Sequence, residues 1–240
     1  MDGVRCVWVG FGGMRFGRSG RKVGQFLMVG KKIIMVSGKA RSGKDTFCQY
    51  YIDCANEKGI RAERMAFADR LKSLAKELGW NGSKEGEGRS FLIDIGQILR
   101  DDYFVRNGNV ISKLTGLVTE RETYSLRHLY EMLLDKYVPK KDIWIQFVQN
   151  KILESDSDIF IIPDWRFQNE KASMEKFVLD RPGNKLVTVR IENNRALNID
   201  DPSEKDLDTL WFNHILFNEG TLEDFKTVVE KFFVKEGKII

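Results

Sequence analysis

Apolar residues come in two short uninterrupted runs, Ile33 to Val36 and Ile159 to Ile162, each bounded by polar positions. Runs of this length predict central strands of a parallel sheet covered on both faces. Weaker strand signals fall at 62–67, 185–191 and 215–217. Helical spacing fills the gaps: 46–58, 68–78 with apolar residues at 71, 74, 75 and 78, 89–104, 125–137, 143–154, 170–177, 203–211 and 221–234. Strands alternating with helices predict an α/β fold with a mostly parallel sheet flanked by helices. The block from about 68 to 157 carries no strand signal, so it is expected to sit as a helical insertion on one side of the sheet. Within it, 80–88 reads as a loop, and 106–123 shows turn residues with weak periodicity. Residues 1–30 are rich in Gly and Arg and hold no sustained period. They predict a poorly ordered extension, leaving 31–240 as one domain.

Composition narrows the class without defining it. The 240 residues, 42% apolar and 31% charged, suit one globular α/β domain. A net charge of +4 fits a phosphorylated ligand and is too weak to argue for nucleic acid. Three cysteines without paired spacing indicate neither a disulfide framework nor a zinc site, which favours a reducing cytoplasm. No apolar run approaches the roughly 20 residues of a membrane-crossing helix.

The first apolar run leads directly into Ser37-Gly38-Lys39-Ala40-Arg41-Ser42-Gly43-Lys44-Asp45-Thr46, and a helical segment follows at once. Strand, glycine-bounded loop, lysine and helix are the context of a phosphate-binding loop. Glycines let successive N–H groups curl toward phosphate oxygens, Lys44 adds a charge, and the helix N-terminus adds its dipole. Asp45 stands where a hydroxyl residue usually follows the lysine, with Thr46 next.

In a parallel sheet, ligands bind beyond the carboxyl ends of the strands. After Ile162 the chain reads Pro163-Asp164-Trp165-Arg166-Phe167-Gln168-Asn169-Glu170. Asp164 is a candidate carboxylate for Mg²⁺ or a substrate hydroxyl, and Arg166 a candidate partner for phosphate charge. A second account of the stretch is helix capping by Asp164 and Glu170. After Phe217, Asn218-Glu219-Gly220-Thr221 turns into the last helix and is a candidate shelf beside the nucleotide.

These strings, with Phe67-Ala68-Asp69-Arg70-Leu71-Lys72, resemble the successive motifs of phage-type deoxynucleoside monophosphate kinases over about residues 32–234. The resemblance implies a P-loop kinase fold with a helical monophosphate-binding insertion, and transfer of the γ-phosphate of ATP, with Mg²⁺, to a deoxynucleoside monophosphate. It implies that Gly38, Arg41, Ser42, Gly43, Lys44, Asp45, Thr46 and Asn218 meet the nucleotide, and that Asp45, Thr46 and Asp164 serve the metal. Lys44, Asp164, Arg166 and Glu170 would line the transfer site, and Asp69, Lys72, Arg89, Gly96, Arg127 and Trp144 the acceptor site. Arg89 and Gly96 match the family's arginine–glycine spacing but lie far from Trp144, whereas Arg127 lies nearer and lacks the glycine. The acceptor arginine is therefore open between Arg89 and Arg127. The implied partner is a small-molecule nucleotide, with no nucleic acid and no membrane, a homodimer left open, and a cytoplasmic location, that of the host if the chain is of phage origin. Two alternatives stand beside this reading: a P-loop kinase of another phosphorylated small molecule, as in phosphomevalonate kinases, and a nucleotide-binding module without catalysis.

Overall fold

In the computed structural model, residues 30–83, 85–107, 109–113, 116, 118, 126–196 and 210–236 are described. The expected extension at 1–30 lies outside them except for Gly30.

Five parallel strands form the central sheet: β1 (Lys32–Ser37), β2 (Ala62–Arg64), β5 (Ile159–Ile162), β6 (Lys185–Glu192) and β7 (His214–Phe217), in the order β2-β5-β1-β6-β7. The two purest apolar runs sit side by side at the centre, with Ile34 in register with Ile161 on one flank and Val187 on the other. Because successive side chains of a strand face opposite ways, each run feeds two cores. Ile34, Val36, Ile159 and Ile161 pack with α1 (Lys44–Glu57) and α7 (Leu222–Glu236) through Phe47, Tyr51, Phe225 and Phe232. Ile33, Met35, Phe160 and Ile162 pack on the other face, against residues of α2 (Phe67–Glu77), α3 (Gly86–Leu99), α4 (Leu126–Lys136), α5 (Ile143–Glu154) and α6 (Gln168–Leu179). Burying each such side chain contributes about 2 kcal/mol, which is why both runs exclude polar residues completely.

The expected insertion lies to one side of the sheet, but it is not wholly helical. Strands β3 (Tyr103–Arg106) and β4 (Asn109–Ser112) form an antiparallel hairpin, Phe104 facing Ile111. Helix α3 therefore stops at Leu99 and does not run on to 104. The apolar residues at 103–105 satisfy a helical stripe and an alternating strand equally well, and the pairing with β4 decides between them. Asn107, with φ of 51°, sits at the turn. Helix α3 also begins at Gly86, inside the stretch expected to be loop. The expected helix at 203–211 falls outside the described residues up to 209, and Leu210 and Trp211 are not helical.

Candidate active site

All five strands point their carboxyl ends to the same edge, which brings the segment after β1, the end of β2, the segment after β5 and the turn after β7 together. The loop after β1 needs its glycines. Gly38 has φ of 150°, and a Cβ there would lie 2.5 Å from the Ile191 carbonyl oxygen. Gly43 has φ of 104°, in the left-handed region, and a Cβ would fall 2.3 Å from Asn218 Nδ2. Arg41 also adopts the left-handed region, at φ of 63°. Asn218, from the turn after β7, donates to the Ser42 carbonyl oxygen at 2.8 Å and ties the loop to the far side of the sheet.

Lys44 begins α1, and its ammonium donates back to the carbonyl oxygens of Gly38 at 2.5 Å and Lys39 at 2.7 Å, closing the loop into a ring. The ring presents the first N–H groups of α1, which no helix satisfies internally. The Ser42 hydroxyl is buried with no hydrogen-bond partner among the described residues. An orphaned hydroxyl, a lysine curled over carbonyls and open helix N–H groups together fit a bound polyphosphate.

Asp45 is the second residue of α1 and its side chain is 86% exposed; Thr46, half-buried, follows. Arg64, the last residue of β2, reaches Asp45 at 3.4 Å with one guanidinium nitrogen and Asp69 at 3.8 Å with another. It links the start of α1 to the start of α2. Among the described residues, no group of three or more His, Cys, Asp or Glu is assembled around a metal position.

Beside the loop lies a cavity of about 340 Å³. Its walls include Lys72 of α2, Arg89 of α3, Arg100 just past α3, Trp144 of α5, and Asp164, Arg166, Phe167 and Glu170. Six residues singled out in the sequence thus converge on one hollow. Gly96 stands behind the wall: its carbonyl oxygen accepts the Trp144 indole N–H at 3.4 Å and fixes the ring. Arg127 does not join them; it lies on the exposed face of α4 and pairs with Glu131 at 2.8 Å.

The two carboxylates of the 164–170 segment are spoken for by backbone. Asp164 accepts the N–H of Phe67 at 3.0 Å and of Ala68 at 2.9 Å, the first two of α2. The residue preceding them, Ala66, has no side-chain acceptor, so the cap arrives from β5 instead. Glu170 accepts the N–H groups of Arg166 at 2.8 Å and Phe167 at 3.0 Å, both on Oε2. The capping account thus holds for Glu170 on its own helix, α6, while Asp164 caps α2. Burial pushes both carboxyls up, against the pull of those N–H groups, and Glu170 reaches about 7.

Sequence reasoning passed over Arg64 and Arg100. Arg64 ends a strand, so the rule that selected Asp164 also selects it. Arg100 was hidden inside the over-long helix reading of 89–104.

No protein-family model matches the chain, and no curated protein matches it. Among solved structures, an APS kinase of Mycobacterium tuberculosis in complex with AMPPNP and APS aligns at TM-score 0.41 and 13% identity, over 85% of this chain and 98% of that one. A protein described as APE1195 aligns at TM-score 0.42 and 10% identity, over 89% and 99%. A putative plasmid partition protein of Borrelia burgdorferi bound to AMPPNP aligns at TM-score 0.30 and 13% identity, over 86% and 99%. These are loose likenesses, and no residue role is carried across from them. No helix among the described residues is long and apolar enough to cross a membrane.

Proposed function

We propose that the protein is a cytoplasmic nucleotide kinase that transfers the γ-phosphate of ATP to a (deoxy)nucleoside monophosphate. One observation carries the reading: a phosphate-binding ring at 38–46 lies beside a cavity that gathers Lys72, Arg89, Arg100 and Arg166 with the buried ring of Trp144. Cations suit the acceptor phosphate, and an aromatic wall suits a base.

In this reading Gly38, Arg41, Ser42, Gly43, Lys44 and Asn218 hold the nucleotide phosphates in place. Lys44 exchanges the carbonyls of Gly38 and Lys39 for phosphate oxygens. Mg²⁺, when bound, neutralises charge on the β- and γ-phosphates, and Asp45, Thr46 and Asp164 are the residues proposed to hold it. A site this sparse suits a metal held largely by phosphates and water. Arg166, exposed at the cavity mouth, meets the charge that spreads over the transferring group. Asp69 pairs with Arg64 at 3.8 Å, and its carboxylate accepts the Ala66 N–H at 2.8 Å. Of the two acceptor arginines expected from the sequence, Arg89 is favoured, since it lines the cavity and Arg127 does not.

The test is an ADP-release assay over a panel of ribo- and deoxynucleoside monophosphates, with phosphomevalonate included. Turnover of a monophosphate supports the reading; turnover of none, with ATP still bound, removes it.

A further inference from the structure

Two of the cations in the cavity have no bonded side-chain partner. Among the described residues, neither the Lys72 ammonium nor the Arg100 guanidinium makes a hydrogen bond or an ion pair, although the side chains of Arg64, Arg70 and Arg127, on the same helical side of the sheet or at its edge, all do. Arg100 is the more informative of the two, because something holds it in place. It follows α3 directly, and its backbone N–H donates to the Gly96 carbonyl oxygen at 3.2 Å. Its guanidinium carbon lies 5.6 Å from the centre of the Phe167 ring, and both residues line the cavity.

A cation after the last turn of a helix is favoured by the helix dipole, and that accounts for a positive residue at position 100. It does not account for the guanidinium lying over a ring, where it faces the charge of Asp102 and Glu170 without bonding to either. A guanidinium carries five N–H donors in a plane and no acceptor, and a cation–π contact holds the group near the ring without using any of those donors. Those donors fit two oxygens of a phosphate or carboxylate.

We infer that Arg100 is the anion clamp of the cavity, held for a phosphate monoester beside the ring of Phe167. This rests on the kinase reading for the identity of the ligand, and on the cavity alone for its charge. Phe167 is also the residue just before α6, and its N–H is bound by Glu170. An anion seated on Arg100 therefore lies beside the segment 164–170 that carries Arg166.

The experiment uses the full chain and inorganic phosphate as probe, titrated calorimetrically in a Lys44→Ala background that weakens phosphate binding at the loop. Adding Arg100→Ala should weaken the remaining binding tenfold or more. Arg100→Lys should recover only part of it, since lysine keeps the charge and loses the fork, and Phe167→Leu should weaken it about threefold to tenfold with the charge intact. Arg61→Ala, at the opposite end of the sheet where Arg61 pairs with Asp158, should change nothing. Arg100→Ala removes no side-chain hydrogen bond or ion pair of the described fold, only the ring contact and the charge after α3, so thermal melts should fall by no more than about a few degrees. Phosphate binding that survives Arg100→Ala overturns the inference, and full recovery by lysine overturns the fork geometry. The two readings fail separately. Loss of phosphate binding in Arg100→Ala, with no monophosphate turned over by the native protein, leaves the clamp standing and removes the kinase. An active kinase whose acceptor KM ignores Arg100→Ala does the reverse.

Discussion

Asp164 and Ala68 are joined across 96 residues of chain by one hydrogen bond of 2.9 Å, from the Ala68 N–H to the Asp164 carboxylate. With the neighbouring bond from Phe67, it makes the end of β5 the cap of α2. The same carboxylate borders the cavity, so the residue that fixes α2 also faces the proposed ligand site. Removing it should therefore cost stability as well as activity. Asp164→Ala leaves two helix N–H groups without an acceptor and should lower unfolding free energy by about 1 to 3 kcal/mol. Asp164→Asn turns an amide donor toward one of those N–H groups and should recover less than half. Urea titration measures both, and amide exchange over 67–77 should accelerate. Full stability in Asp164→Ala would mean that the cap is dispensable.

Lys44 and Arg166 should fail in different ways. Lys44 is proposed to meet phosphates that are already charged before reaction, so Lys44→Ala should weaken ATP binding and slow transfer together. Arg166 is proposed to act as charge redistributes, so Arg166→Ala should lower kcat by about 10³-fold with little change in ATP affinity. Neither should unfold the domain, since the Lys44 bonds to the Gly38 and Lys39 carbonyls lie within its own loop and Arg166 is exposed. Near-normal turnover in Arg166→Ala would leave the 164–170 segment with capping as its whole role.

Glu170 gives a pH signature. Burial pushes its carboxyl up to about 7, whereas a glutamate in the unfolded chain titrates near about 4.3. Between those values the native state binds more protons than the unfolded state, so its stability falls as pH rises, by up to about 1.4 kcal/mol per pH unit. The contribution is fully present below the unfolded value and gone above about 7. Both backbone N–H groups sit on Oε2, so Glu170→Gln can keep them with its amide oxygen while losing the titration. The variant's stability curve should lack this slope from pH 4.5 to 7, with other groups cancelling in the difference. Identical slopes in the two proteins would show that Glu170 ionises normally.

Most of the sheet and the whole glycine–lysine loop after β1 could be read from the sequence because their signals are local. Ile33–Val36 and Ile159–Ile162 are uninterrupted runs, and Gly38, Gly43 and Lys44 have a fixed spacing beside one of them. What was hidden depends on contacts between distant segments. The hairpin of Tyr103–Arg106 with Asn109–Ser112 competes with a helical stripe and is decided by pairing, although Asn107-Gly108 is a recognisable two-residue turn signal. Asp164 capping α2 crosses from one element to another and leaves no periodic trace. Arg127 and Arg89 could not be ranked by spacing, because only the packing of α3 on its neighbours sets which arginine faces the cavity.

The contact between the loop and the last strand can be isolated by a double-mutant cycle. Gly43→Ala places a Cβ 2.3 Å from Asn218 Nδ2 in a left-handed conformation, so it carries a clash and a backbone penalty together. It should destabilise by about 2 to 4 kcal/mol and abolish tight ATP binding. Asn218→Ala loses the 2.8 Å bond to the Ser42 carbonyl oxygen and should cost about 1 kcal/mol. Combined, the shorter side chain at 218 removes the clash, leaving only the backbone penalty and the lost bond. The double variant should therefore be more stable than the sum of the single losses by about 1 kcal/mol or more. ATP affinity should follow the same order, since Asn218 holds the carbonyl side of the ring while the N–H side is proposed to face phosphate. Strict additivity across the cycle, in urea titrations and in ATP binding alike, would mean that Gly43 is required for its backbone conformation alone and that Asn218 does not shape the loop.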